Sequence, residues 1–235
     1  MFDVIAFDAD DTLWHNETLY LSTQETFKKI LAKYLDAGVV EDALYETEMR
    51  NLAYFGYGIK SFTLSMIETA IELTDGEIRG RDVHQIIELA KDMLNSPIQP
   101  LEGAETTLAL LSKKFPLMLI TKGDLLDQES KIARSGLANY LTHIEIVSEK
   151  IPQTYRDILA RHNVEAARFL MVGNSLKSDV LPILAIGGRA VYIPYQTTWA
   201  HEVVNIEDEQ DYVELEHIGQ LSVWLDRLLE GAPSV

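Results

Sequence analysis

Three carboxylates crowd into four positions near the start of the chain: Asp8, Asp10 and Asp11 in "VIAFDADDTL", immediately after an apolar run. Carboxylates at that density repel one another unless a cation joins them, and oxygen ligands without Cys or His select a hard ion such as Mg²⁺. Further polar residues follow later apolar runs. Thr121, Lys122, Gly123 and Asp124 come after "PLMLI", Ser148, Glu149 and Lys150 after "IEIV", and Gly173, Asn174, Ser175 and Asp179 after "RFLMV". In open parallel sheets ligands bind beyond the carboxyl ends of the strands. If these runs are strands of one sheet, carboxylates, a hydroxyl, a lysine and an amide converge on one edge.

The runs have the character such a sheet requires. "VIAF" (Val4–Phe7), "PLMLI" (Pro116–Ile120), "IEIV" (Ile144–Val147), "RFLMV" (Arg168–Val172) and "AVYI" (Ala190–Ile193) are continuous rather than alternating, which suits strands covered on both faces. Helical patterns separate the later runs, as with Tyr155, Ile158 and Leu159 after Pro152, and strand and helix in alternation predict an open α/β fold. The first two runs are instead separated by roughly a hundred residues that read helical throughout. Phe27, Ile30, Leu31, Tyr34 and Leu35 form one apolar stripe, Phe62, Met66, Ile67, Ala70 and Ile71 a second, and Val83, Ile86, Ile87, Ala90, Met93 and Leu94 a third. Stripes of this kind must pack on one another, which predicts a helical domain over residues 16–96 inserted into a core of residues 1–15 and 97–235. The prolines of "NSPIQP" (Asn95–Pro100) mark its exit.

Composition narrows the function classes. With 235 residues and 47% hydrophobic content the chain can bury a core without staples, and the absence of cysteine rules out a disulfide framework, a thiolate metal site and a cysteine nucleophile. A net charge of −17 argues against nucleic acid or an anionic lipid surface as partner. No apolar segment approaches the ~20 residues of a membrane span, and no basic leader precedes the first apolar run, so a cytoplasmic location is expected. The acidic "EDEQD" (Glu207–Asp211) reads as a solvated loop. Oligomeric state is not legible.

The combination of "DADDT" at 8–12, Thr121 after a buried strand, Lys150 after the next and "GNSLKSD" at 173–179 resembles the haloacid dehalogenase superfamily of phosphohydrolases. The resemblance spans essentially the whole chain, and no single motif carries it; four in order, each after a strand, do. It implies a Rossmann-like sheet with helices on both faces, a helical cap, and a small phosphoester as substrate. Asp8 is then the nucleophile, Asp10 the general acid and base, and Thr121 the donor to a phosphoryl oxygen. Lys150 balances charge, and Mg²⁺ is held by Asp8, the Asp10 carbonyl and Asn174 or Asp179.

Two departures stand out. Many relatives carry Gly at the position of Asp11, although Asp tolerates positive φ. Family members often have Asp where Asn174 stands, so the ligand here brings no charge, and Asp179 becomes either a direct ligand or an orienter of metal-bound water. Asp179 also reads as a first-turn carboxylate of a helix capped by Ser178. The stretch "NLAYFGYGIKS" (Asn51–Ser61) places Tyr54, Phe55 and Tyr57 between two cap helices, where they either pack the cap or contact substrate. Trp199 and His201 receive no role. Three other readings stand beside a phosphatase: a 2-haloacid dehalogenase, against which Asp10 counts; a phosphomutase, for which the sequence offers no positive sign; and a non-catalytic binding protein, which Asn174 alone supports.

Overall fold

The computed structural model describes residues 2–35, 37–197, 199–204 and 211–230. In chain order, strand β1 (Val4–Phe7) is followed by helices α1 (Glu17–Leu31), α2 (Val40–Phe55), α3 (Ile59–Leu73), α4 (Gly80–Asn95) and α5 (Ala104–Leu111). Strand β2 (Leu117–Lys122), α6 (Leu125–Arg134), β3 (His143–Val147), α7 (Pro152–His162) and β4 (Phe169–Gly173) come next. The chain continues through α8 (Leu181–Leu184), β5 (Arg189–Tyr192), β6 (Val213–Glu214) and α9 (Leu221–Leu229). Residues 207–210 of the acidic "EDEQD" stretch lie outside the described residues.

The six strands among the described residues are parallel and ordered β3-β2-β1-β4-β5-β6, a Rossmann-like open sheet. Side chains of successive strand residues point to opposite faces, and each face has its own core. Ile5, Phe7, Leu117, Leu119, Leu170 and Val172 pack with Leu108 of α5 and Leu221 and Leu225 of α9. Val4, Ala6, Met118, Ile120, Phe169 and Met171 pack with Tyr155, Ile158 and Leu159 of α7 and Ile183 of α8. Burial on both faces is why β1, β2 and β4 read as unbroken apolar runs. Strand β3 departs from that expectation: it is the sheet edge and Ile144 is 44% exposed. The two-residue β6 left no run to read. Pro152 opens α7 with its preset φ, and Asn163 ends it in the left-handed region (φ 55°).

The chain divides into two compact units. The α/β unit comprises residues 1–17, 98–122 and 131–235; the helical unit comprises 18–97 and also 123–130. In the helical unit Phe27, Leu31, Leu44, Ile59, Phe62, Met66, Ile86 and Met93 of α1–α4 form one core, so all three stripes converge. Segment 123–130 joins this unit through a Lys60–Asp124 ion pair (2.9 Å) and the close approach of Gly58 to the Asp124 backbone, local contacts with no sequence signature. Tyr54 is 81% and Phe55 52% exposed, which corrects the reading that these two aromatics pack the helical domain, whereas Tyr57 is half-buried. Tyr54 and Phe55 lie in phase with the buried residues Leu44, Thr47 and Asn51 of α2 but occupy its last turn, where they are exposed.

Candidate active site

In a 3-2-1-4-5-6 sheet the connections run in opposite directions on either side of the β1–β4 boundary, opening a crevice at their carboxyl ends. Asp8 leaves β1 at that boundary, its N–H donating to the Val172 carbonyl of β4 (2.9 Å), and Asn174 follows β4 directly. Loop 8–14 folds back on itself. The amides of Thr12 and Leu13 donate to the Ala9 carbonyl (3.3 and 2.8 Å) and the Asp11 amide to the Trp14 carbonyl (2.7 Å). The turn requires positive φ at Asp11 (62°), as the tolerance of Asp for that region anticipates. Asp11 does more than permit the turn, since its carboxylate accepts from the amides of Asn16 (2.8 Å) and Glu17 (3.0 and 3.1 Å) where α1 begins. Burial pushes its pKa up to about 7 despite those bonds.

Asp8 is 7% exposed and both its oxygens are engaged. Lys150 Nζ pairs with Oδ1, and the Thr12 hydroxyl donates to Oδ2 (3.0 Å). Lys150 also donates to Asp179 Oδ1 (2.7 Å), while Asp179 Oδ2 accepts from the Ser175 amide (3.0 Å). Burial opposes charge on Lys150, but Asp179 and Asp8 outweigh it and hold the ammonium well above the usual lysine range. Asp179 is itself driven upward by burial. Gly173 makes room for this carboxylate: a Cβ there would lie 2.2 Å from Asp179 Oδ2.

The Asn174 amide reaches the same place from β4. Its end facing the loop lies 3.2 Å from the Asp10 carbonyl, 3.1 Å from Thr12 Oγ1 and 3.2 Å from Asp8 Oδ2. Turned one way its nitrogen donates to these oxygens; turned the other, Oδ1 joins them. Thr121 is buried (1% exposed) one residue before the end of β2, and the Asp10 side chain turns to a different set of partners, accepting from Trp14 Nε1 (2.7 Å) and Lys131 Nζ (2.9 and 3.0 Å). The structure thus brings Asp8, Asn174, Lys150 and Asp179 into one hydrogen-bonded cluster, with Asp10 joined to it through its main-chain carbonyl.

Residues 2–187 match the family model of haloacid dehalogenase-like hydrolases. The chain belongs to this family. A family hydrolase from Xanthomonas campestris, known from its crystal structure, is 42% identical, with 97% of this chain and 91% of that one covered and a TM-score of 0.87. The glyceraldehyde 3-phosphate phosphatase of Pyrococcus furiosus is 29% identical over 136 residues, 55% of this chain and 56% of that protein. The chain spans about half the length of the curated relatives it matches. The 2-haloacid dehalogenase of Pseudomonas syringae shares the fold, with 22% identity, coverage of 97% and 100%, and a TM-score of 0.66.

Around this core the hydrolase carries contacts its sequence did not announce. Leu176–Val180 winds as a wide π-type turn capped by Ser175, whose Oγ accepts from the Ser178 amide (3.0 Å). The cap is therefore Ser175 and not Ser178, because the turn starts at Leu176, directly after Ser175. Ser178 Oγ instead donates to Glu202 Oε2 (2.7 Å), and Glu202 also pairs with Lys122 and accepts from Ser175. Burial raises the Glu202 pKa, but the Lys122 charge and these bonds overcome it and hold the value at about 2. His201, in the same turn, lies 3.0 Å from Lys177 Nζ, with its pKa lowered by burial and by that charge.

Among the described residues no three His, Asp or Glu side chains group as metal ligands. The donor set of the hydrolase is of another kind: an Asp8 carboxylate oxygen, the Asp10 main-chain carbonyl and the Asn174 amide, all meeting at the amide's tip. Neutral and anionic oxygens in that mixture fit a hard cation such as Mg²⁺. No helix among the described residues is long and apolar enough to cross a membrane.

Proposed function

We propose that the protein is a Mg²⁺-dependent phosphohydrolase that cleaves a small phosphorylated metabolite through an aspartyl-phosphate on Asp8. The observation that carries this reading is the Asp8 carboxylate, fixed at the sheet's crevice by Lys150 on one oxygen and Thr12 on the other, beside the Asp10 and Asn174 oxygens. A carboxylate so held is a positioned nucleophile. Magnesium, when bound by Asp8, the Asp10 carbonyl and Asn174, supplies Lewis-acid neutralisation of phosphoryl charge. Both oxygens of Asp179 are engaged by Lys150 and the Ser175 amide, which favours an orienting role over direct ligation. Lys150 offsets charge on Asp8 and on the transferring group, and Thr121 donates to a phosphoryl oxygen.

In the first step an Asp8 oxygen forms a bond to phosphorus as the ester P–O bond breaks, and Asp10 gives its proton to the departing oxygen. In the second, Asp10 takes a proton from water as that water bonds to phosphorus, and the Asp8–phosphorus bond breaks to release phosphate. The inserted helical unit serves as a cap, and a lid of that kind favours compact substrates. Absence of cysteine supports a reducing, cytoplasmic setting.

Phosphate release from a panel of small phosphoesters, glyceraldehyde 3-phosphate included, with and without Mg²⁺, tests the reading. Asp8→Asn is the blank, and halide release from 2-chloropropionate is measured in parallel. Metal-dependent phosphate absent from the blank is expected. Halide release without phosphate release would overturn the proposal in favour of dehalogenation, and neither product from folded protein would favour a binding role.

A further inference from the structure

The geometry points to Lys131 as the residue that positions Asp10 for proton transfer, an inference that rests on the phosphohydrolase reading. Lys131 lies in α6, outside the four motifs, and is 7% exposed. An ammonium is withdrawn from water only at a cost, which partners must offset. Its partners are both oxygens of Asp10 (3.0 and 2.9 Å) and Oδ1 of Asn16 (3.0 Å). On the other side Trp14 Nε1 donates to Asp10 Oδ1 at 2.7 Å, from an indole 1% exposed and therefore fixed by the core.

The clamp sits where proton transfer is most sensitive to position. Asp10 stands on a loop, and a loop carboxylate held only through its backbone samples several rotamers. Donors from Trp14 and Lys131 fix the plane of the carboxyl group, so that its proton is presented in one direction in the first step and received from that direction in the second. Misplacing such a group by about 1 Å can cost a hundredfold in rate. Lys131 touches neither the phosphoryl group nor the leaving oxygen in this scheme, so it acts through Asp10. An ion pair that merely neutralised a half-buried acid would make the same contacts, and the test must separate the two roles.

Leaving-group dependence separates them, because a general acid matters for a poor leaving group and little for a good one. The kcat/KM of wild type, Lys131→Met and Lys131→Arg would be measured on an alkyl phosphate and on acetyl phosphate. For Lys131→Met the alkyl ester should lose about 10²-fold or more and acetyl phosphate less than about fivefold, with the alkyl loss in kcat rather than KM. Lys131→Arg, which keeps a bidentate donor, should recover most of the alkyl rate. Equal loss on both substrates, or no loss on either, would overturn the positioning role while leaving the phosphohydrolase intact. Wild type inactive on both would refute the underlying reading instead. Should Lys131→Met fail to fold, Trp14→Phe, which removes the other donor, must show the same bias toward the alkyl ester, and an unbiased loss there refutes the clamp equally.

Discussion

Replacing Lys150 by Met separates the energetics of the site from its chemistry. The Lys150 side chain is 1% exposed, as is that of Asp179, and the Asp8 side chain is 10% exposed. Methionine fills most of the same volume but leaves two carboxylates without their shared cation. Removing one partner of a buried ion pair costs about 3–5 kcal/mol, because the survivors keep their desolvation and lose the attraction that offset it. With a urea m-value of about 2–3 kcal/mol/M for the unit that holds the site, the unfolding midpoint should fall by about 1–2.5 M at pH 7.5. The deficit should also depend on pH. Burial already drives Asp179 upward in the wild type, and without Lys150 it rises further. A carboxyl whose folded pKa is raised keeps its proton when the unfolded chain would release it, so its contribution to stability falls as pH rises above about 4. The variant should therefore regain stability as pH is lowered from 7.5 toward 4.5. Wild-type Lys150 shows no change from its own titration in this window, since its raised pKa confines that loss to alkaline pH. Urea titrations across the range, with Lys150→Met/Asp179→Asn closing a double-mutant cycle, measure the effect. A deficit below about 1 kcal/mol, or one indifferent to pH, would refute the view that the lysine carries these two charges.

Gly173→Ala should cost more than an ordinary Gly-to-Ala change, because the new methyl would stand 2.2 Å from Asp179 Oδ2; a loss of about 2 kcal/mol or more in urea unfolding is expected, and a neutral variant would show that Asp179 moves freely. Glu202→Gln should destabilise by about 2–3 kcal/mol at pH 7, since a carboxylate depressed to about 2 contributes stability above about 4.5 that is lost as pH falls toward 2. The wild-type advantage should accordingly shrink over pH 4.5 to 2, as thermal melts at matched pH will reveal. Asn174→Asp adds a charge 3.1–3.2 Å from the Thr12 and Asp8 oxygens, so the metal-free variant should lose on the order of 1–4 kcal/mol and recover it with Mg²⁺. A melting temperature that does not respond to Mg²⁺ in this variant would argue against the ligand set.

Much of this was legible in one sequence because it is local. Continuous apolar runs such as "VIAF" and "RFLMV" predicted strands buried on both faces, and β1 and β4 are buried at every position. Polar residues directly after those runs were bound to share a sheet edge once the sheet was parallel, which is why Asp8, Lys150, Asn174 and Asp179 could be nominated together. The dihedral freedom of Asp made the positive φ at Asp11 readable as well. Other features depend on which elements become neighbours. Lys131 and Glu202 carry no signal of their own, as helix and loop positions outside the motifs, and only packing brings them to Asp10 and to Lys122. Tyr54 and Phe55 gave the opposite impression, since hydrophobic type suggested burial, yet in the last turn of α2 they are exposed. Sequence determined five of the six described strands, the order of the polar clusters and the family. Tertiary structure alone decided which Asp179 oxygens were already taken, what grips Asp10 and which residue caps the turn after β4, because each depends on a separation through space between groups that chain spacing leaves free.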